Sequence, residues 1–445
     1  MIRTPIFINK NLITILPVFI CLNLQGRLTF MKVLIASDFF APTINGVVTS
    51  ILNLQNELEK HGHEVKILTL RQKESYGYED CVYAIPSFSA GKFYPGARVM
   101  RSLASVELKE LKEWKPDVIH TNNEFSTFLL SQLIAAKLNV PIVHTYHTVY
   151  EDYIHYFSPS ETVGKGLVKR YSKTLLERTD AVIVPTEKVR ALLNRYKVGT
   201  PVYTVPTGID LENFAKGDHV KARKNLRTKY GVAENEFILL SLGRLAKEKN
   251  IEEIIRFLKK VDKEVRLMIV GGGPYQNVLE NFVLEQGLKD RVIFSGMVRP
   301  EEVPDHYHMA DAFVSGSTSE TQGLTYVEAL ACGLPAICRK DGAIDEVIIN
   351  DLNGWQYETE QEFVDAVTRL IDDPMEWKRM SEGALTIAQN FSTQAFYEGI
   401  IAVYEAAING PRKPREPIPA KLRQILYKSI DLTFDDWMYH DHLRL

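Results

Sequence analysis

Short apolar runs alternate with amphipathic stretches along most of the chain. In the first half the apolar runs are KVLIA (32–36), EVKILTL (64–70), DVIHT (117–121), PIVHTYH (141–147), AVIVPT (181–186) and VYTVP (202–206). Stretches with helical spacing separate them, and this order predicts a parallel sheet with crossover helices. The clearest such helix runs from Gly46 to His61 and stops at Gly62, just before the next strand. After Pro206-Thr207-Gly208 and a polar stretch the rhythm restarts with FILLSLG (237–243), RLMIVGGG (266–273), VIFSG (292–296), AFVSG (312–316) and PAICR (335–339). Residues 358–430 read as helices, among them Pro374 to Asn390 and Thr393 to Ile408, and 411–428 is rich in Pro, Lys and Arg. The prediction is an α/β chain of two Rossmann-like domains facing each other across a cleft. Its parts are an N-terminal extension (1–30), a first domain (31–206), a second domain (207–395), and C-terminal helices with a basic tail (396–445). In such sheets ligands sit outside the carboxyl ends of the strands.

Composition adds little to this picture, but charge does. At 445 residues, 45% hydrophobic and 24% charged, the chain is long enough for two or three domains with ordinary cores. Cys21, Cys81, Cys332 and Cys338 have neither zinc nor redox spacing, which points to a reducing cytosol. Residues 1–30 carry Arg3, Lys10 and Arg27, no acid, and an apolar stretch from Leu12 to Leu24 that is short for a bilayer span. Because Met31 opens the first strand, residues 1–30 read as an upstream extension or a misplaced start. Net charge is −3, yet residues 1–30 and residues 31–205 each carry +3, leaving −9 on the remaining 240. A basic half beside an acidic half suggests that the first domain meets an anionic surface.

Candidate chemistry clusters at strand ends. Gly243-Arg244, followed by Lys247, Lys249 and Asn250 at the expected start of a helix, suits a diphosphate, because helix dipole, free amides and guanidinium all favour anionic oxygens. Gly271-Gly272-Gly273-Pro274 reads as a tight turn or a ligand approach, and it lacks the third glycine of a dinucleotide fingerprint. Glu320 and Glu328 lie eight positions apart in ETQGLTYVE. With a helix beginning near Gly323 they would hold two hydroxyl-bearing rings of one ligand, and the free amides would face phosphate. In the first domain Gly46 opens a helix after PTIN, and His144 and His147 close a strand. A strand-end histidine positions a hydroxyl or simply packs in the core. No D-x-D segment sits at a strand end, Asp435-Asp436 lies in the tail, and no metal ligand set is expected.

The ordered set SLGRLAKEKN, VGGGP, FSGMV, ETQGLTYVEALACGLP and GAIDEVI resembles the donor-binding domain of family 4 retaining glycosyltransferases of the GT-B fold. The likeness covers roughly residues 31–400. It implies that Glu320 lies by the donor sugar, Arg244 and Lys249 bind the diphosphate, Glu328 binds the ribose, and Met297 and Val298 meet the base. Gln322, Gly323 and Leu324 complete the donor loop, and Gly46 and His147 face it from the first domain. His147, Glu320, Arg244 and Lys249 are the expected catalytic set. The resemblance also implies reaction on the donor's front face, the leaving phosphate helping to take the acceptor proton.

SDFFAPTINGVVTSILNLQNELEKHGHEV with VHTYHTVYEDY is similar to bacterial diacylglycerol glucosyltransferases, which make glycolipid and lipoteichoic acid anchors. That narrower likeness implies UDP-glucose as donor, diacylglycerol as acceptor, no nucleic acid partner, no cofactor, and a peripheral place on the cytoplasmic face of the membrane. Mg²⁺ stimulation stays open. Lys165, Lys169, Arg170, Lys173 and Arg178 share one expected helix with Leu167, Val168, Tyr171, Leu175 and Leu176. The mixture suits anionic lipid or a core-facing helix with a solvated side. Tyr146, Tyr150, Tyr153, Tyr156 and Phe157 would line an acyl groove. The alternatives are a second-step transferase acting on monoglucosyldiacylglycerol, another family 4 transferase, a GT-B-fold UDP-sugar epimerase and a non-catalytic sugar-binding protein. An NAD-dependent dehydrogenase is disfavoured because the fingerprint is missing.

Overall fold

A computed structural model describes residues 30–43, 45–71, 81–89, 98–101, 106–151 and 160–413. The expected N-terminal extension, the tail beyond 413, and Tyr153, Tyr156 and Phe157 lie outside the described residues. The first half runs β1 (Lys32–Ala36), α1 (Gly46–Lys60), β2 (Glu64–Leu70), β3 (Val82–Ile85), the antiparallel pair β4 (Ser87–Ser89) and β5 (Arg98–Met100), then α2 (Val106–Trp114). It continues with β6 (Val118–Thr121), α3 (Ser126–Leu138), β7 (Ile142–Thr145), α4 (Glu161–Leu176), β8 (Ala181–Val184), α5 (Glu187–Tyr196) and β9 (Val202–Thr204). Seven of these strands form one parallel sheet in the order β3-β2-β1-β6-β7-β8-β9.

The second half runs α6 (Leu211–Ala215), α7 (His219–Lys229), β10 (Phe237–Leu242), α8 (Ile251–Phe257), β11 (Val265–Val270), α9 (Gln276–Glu285), β12 (Val292–Gly296) and α10 (Val303–Met309). Next come β13 (Ala312–Ser315), α11 (Leu324–Ala331), β14 (Ala336–Arg339), β15 (Gly354–Tyr357), α12 (Glu360–Asp372), α13 (Pro374–Ala388) and α14 (Thr393–Asn409). Its parallel sheet has the order β12-β11-β10-β13-β14-β15. Strand β15 was not expected from GWQY, which is too short for its pattern to be read.

Both sheets are covered on both faces, so strand residues alternate between two cores. In β1, Val33 and Ile35 join the core under α1 while Leu34 and Ala36 join the core under α3. In β10, Ile238 and Leu240 divide from Leu239 in the same way. Each sheet reverses its strand order once, between β1 and β6 and between β10 and β13, and those switch points open at the carboxyl ends where a crevice forms.

The boundary expected at 395 falls inside α14, and that helix belongs by packing to the first domain. Phe396, Tyr397, Ile400 and Tyr404 enter the core of the first sheet, Tyr404 Oη meets His120 Nδ1 at 2.7 Å and Tyr397 Oη meets His63 Nε2 at 3.0 Å. Among the described residues the chain therefore crosses between domains twice, near 205–209 and near 391–393. The two crossings are bonded to each other through Ile209 N to Phe391 O (2.9 Å) and Thr393 N to Ile209 O (3.2 Å). Gly208 is required there, since a Cβ would lie 2.5 Å from Ser392 O. Among the described residues no helix is long and apolar enough to cross a membrane.

Candidate active site

The second-domain half is built where β10 and β13 end. β10 gives way to Gly243-Arg244, a single 3₁₀ turn at Lys247–Lys249, and Asn250 in the left-handed conformation before the short helix α8. The basic residues thus sit on a tight turn rather than on the helix expected there. Lys249 Nζ reaches across to Glu320 Oε1 at 2.6 Å, and Arg244 pairs with Glu248. The glycine run is structural: Leu245 N donates to Gly272 O (3.0 Å) and Tyr275 N to Leu245 O (3.1 Å). A Cβ on Gly273 would stand 2.2 Å from Leu245 O, so only glycine lets these two loops interlock.

After β13, residues 316–323 form a loop and α11 begins at Leu324, with Gly323 at φ 79° as its N-cap. Glu320 is 9% exposed. Burial pushes its carboxyl up, but Lys249, with smaller help from Ser317 and Lys188 nearby, outweighs burial and holds it below the ordinary value. Glu320 is therefore a fixed carboxylate at neutral pH, suited to accepting hydrogen bonds from a sugar and poorly suited to taking a proton. Glu328, just over one turn into α11, has no such cation among the described residues. Burial pushes its carboxyl above the ordinary value, against a hydrogen bond from Tyr307 Oη at 2.8 Å. The two glutamates thus differ in charge environment. Met297 is exposed and Val298 half-buried at the end of β12, and the Met297 side chain lies over Gly272.

Gln322, expected as a donor contact, has its side-chain amide bonded to the interdomain linker. Its Oε1 accepts from Thr207 N and its Nε2 donates to Thr207 O, both at 2.8 Å. Its amide is spent on the interdomain linker, leaving Gly323 and Leu324 to line the loop. Leu324 meets the first domain instead, with its Cδ1 3.7 Å from where a Cβ on Gly46 would be. The N-termini of α1 and α11 consequently face each other across the cleft. Asn45 caps α1 by accepting from Val48 N at 2.9 Å.

The first-domain half lies at the other switch point. His147 Nε2 bonds Asn122 Oδ1 at 2.9 Å. Burial, with His144 nearby, lowers the His147 pKa to about 3, so the ring is neutral at physiological pH and its Nε2–H donates to Asn122. His144 is buried between Thr121 Oγ1 (2.8 Å) and Glu124 Oε1 (3.4 Å), the packed arrangement left open for it above. Sequence reasoning missed Asp38, Asn122 and Glu124. Burial pushes the Asp38 carboxyl up to about 7 even though Thr127 N donates to it at 2.9 Å. The signal was available: each is polar and lies within three residues of the end of an apolar strand, at the point where strand order reverses.

Helix α4 has a core face and an exposed face. Val168, Leu175 and Leu176 enter the core, whereas Val163 and Leu167, 58% and 59% exposed, form an outward stripe with Tyr171. Lys165, Lys169 and Arg170 are exposed beside it, and Lys173 pairs with Glu177 at 3.6 Å. Phe125 continues the apolar patch and packs edge-on to Tyr150, while Tyr171 Oη donates to Glu124 O at 2.8 Å. Tyr146, expected to line an acyl groove, is fully buried and bonded to Ser172. Among the described residues no cluster of His, Cys, Asp and Glu could hold a metal ion.

Comparison with known proteins agrees with this layout. Glycosyltransferase Family 4 matches residues 44–213 and Glycosyl transferases group 1 matches residues 222–386. The alpha-monoglucosyldiacylglycerol synthase of Streptococcus pneumoniae is 39% identical over 370 residues, covering 81% of this chain and 83% of that protein. The enzyme of the same name from Acholeplasma laidlawii is 31% identical over 386 residues, covering 84% and 96%. Among solved structures, sucrose-phosphate synthase from Thermosynechococcus elongatus superposes with a TM-score of 0.66 at 22% identity, covering 84% of this chain and 98% of that one, a likeness of fold. Two domains with opposed switch points, a fixed Glu320 beside Lys249, and full-length relatives above 30% identity lead to one conclusion: the chain belongs to the GT-B glycosyltransferase family that includes the alpha-monoglucosyldiacylglycerol synthases.

Proposed function

We propose that the enzyme moves glucose from UDP-glucose to the free hydroxyl of 1,2-diacylglycerol with retention, releasing UDP and α-monoglucosyldiacylglycerol. The observation that carries this reading is the Lys249–Glu320 pair at the switch point of the second sheet, in a chain 39% identical to a protein named for that product. Arg244 and Lys249 meet the departing diphosphate, whose developing charge they stabilise more than the ground state. Glu320, already ionised, accepts from sugar hydroxyls, Glu328 from the ribose, and Met297 and Val298 border the base. Neutral His147 orients a hydroxyl from the first-domain side. The bond from the anomeric carbon to phosphate breaks as the bond to the acceptor oxygen forms, and the acceptor proton leaves on the diphosphate. With two cations on the diphosphate, the mechanism includes no resident metal, and titration with EDTA and Mg²⁺ tests that.

The acceptor is a membrane lipid, and the reading places the protein peripherally on the cytoplasmic face through α4 and Phe125. Apolar side chains flanked by cations suit an anionic bilayer surface. The test is purified protein with a panel of UDP- and GDP-sugars and either diacylglycerol or its monoglucosyl derivative in anionic micelles. Transfer from UDP-glucose to diacylglycerol supports the reading. Transfer only to the monoglucosyl lipid makes this the second step, and sugar interconversion without acceptor makes it an epimerase.

A further inference from the structure

The loop that carries Glu320 is gripped from the other domain. Lys188, in the first turn of α5, extends its ammonium to Asp341 Oδ1 at 2.6 Å and Oδ2 at 2.8 Å, to Glu320 O at 3.1 Å and to Thr318 O at 3.4 Å. All four oxygens belong to the second domain, and the three ammonium protons are shared among them. Thr186, the N-cap of α5, donates from Oγ1 to Thr321 O at 2.9 Å, and the linker residue Thr207 holds Gln322. Within its own domain the loop is held through the Glu320 carboxylate by Lys249. The backbone at Thr318, Glu320 and Thr321 and the Gln322 side chain are thus held from the first domain and the linker, while the Glu320 carboxylate is held from the second.

We propose that Lys188 is a positioning residue for sugar transfer, setting the backbone from which Glu320 projects only when the cleft is closed. This rests on the reading of Glu320 as the carboxylate beside the transferred sugar. Asp341 is 2% exposed and anchored by Ala343 N at 2.8 Å. In the closed cleft it needs the ammonium, because an unpaired carboxylate so buried is costly, and in an open cleft water replaces the ammonium. The ion pair therefore forms and breaks with domain closure. Closure brings the acceptor-side domain and the sugar-side carboxylate into register in one event, so donor bound to an open cleft is not poised for transfer. Lys188 touches neither nucleotide nor sugar, and its effect passes through Glu320.

The experiment measures UDP affinity by titration, and turnover with UDP-glucose and diacylglycerol in mixed micelles. It uses the full-length Lys188→Met, Lys188→Arg and Glu320→Gln enzymes and the Lys188→Met/Glu320→Gln double variant. Lys188→Met is expected to lower kcat by about 10- to 100-fold, the size of a misplaced catalytic geometry, with UDP affinity unchanged, and Lys188→Arg recovers part of the loss. The double variant is expected to be no slower than Glu320→Gln alone, because both changes act on one contact. Wild-type kcat in Lys188→Met, loss of UDP affinity in step with kcat, or losses that multiply in the double variant would each overturn the proposal. A Glu320→Gln enzyme with wild-type turnover overturns the reading of Glu320 itself. A slow Glu320→Gln beside a fast Lys188→Met overturns only the role of Lys188. Should Lys188→Met not fold, Asp341→Asn weakens the same ion pair from the second domain and is expected to give the same pattern.

Discussion

Replacing Lys249 with Met probes the centre of the site, because it keeps the unbranched apolar stem of the side chain and removes the ammonium with its charge and donors. In the native protein the Lys249 ammonium is 2.6 Å from Glu320 Oε1, and the two side chains are 29% and 11% exposed. The pair is mostly shielded from solvent, so its loss leaves Glu320 with Ser317 and the more distant Lys188. A charge-assisted hydrogen bond of this kind contributes about 1.5–3 kcal/mol, and the lower half of that range is expected because Lys249 is partly solvated. The sign with pH follows from the direction of the Glu320 shift. Its carboxyl lies below the ordinary value, so its contribution is present at neutral pH and is lost as pH falls through the lowered value. Without Lys249 the largest influence opposing burial is gone and the carboxyl rises from its native position, so the variant gains relative to wild type on acidification. Urea unfolding of both proteins at pH 7 and at pH 4 is the assay. A gap of about 2 kcal/mol at pH 7 that narrows at pH 4 is expected. Equal stability at pH 7, or a gap that widens on acidification, would refute the reasoning.

Three further outcomes are expected. Arg244→Ala weakens UDP binding by about 1.5–3 kcal/mol, read by calorimetry, and unchanged affinity would remove Arg244 from the diphosphate site. Gly273→Ala lowers stability by about 1–3 kcal/mol through its clash with Leu245 O, which thermal unfolding checks, and a wild-type midpoint would return the glycine run to a ligand-contact role. Lys169→Ser with Arg170→Ser weakens binding to anionic liposomes by about 1 kcal/mol per cation and makes the remainder less salt-sensitive, and Leu167→Asp weakens it further. Unaltered flotation of all three would make the outward face of α4 a solvated surface and nothing more.

The parts of the site carried by short stretches were legible in the sequence, and the parts made between distant stretches were not. Arg244 and Lys249 lie between β10 and the helix after it, and Glu320 and Glu328 flank the start of α11 after β13, where βα alternation directs attention. The apolar pattern of residues 393–408 reported a buried face on α14 but not what covers it. Its partner His120 lies 284 positions from Tyr404, and helical periodicity carries no information about that pairing. The side-chain partner of Gln322 was hidden for the same reason: the donor motif surrounds it, yet its amide is matched to a linker 115 positions away. Lys188 reads as an ordinary first-turn lysine and becomes informative only once Asp341 and the Glu320 carbonyl are placed against it. The residues of α4 show the reverse case, where a mixture of apolar and basic positions reported both a core face and an exposed one without saying which leucine belonged to which.

The central claim is retaining transfer to diacylglycerol, and the most direct test is the anomeric configuration of the lipid product. Protein incubated with UDP-[¹³C]glucose and 1,2-diacylglycerol in anionic micelles is predicted to give a single glucolipid. Its anomeric carbon should be joined to the glycerol oxygen in the α configuration by ¹³C-coupled NMR. A β-linked product, or label that reaches no diacylglycerol while UDP-glucose is consumed, would contradict the account.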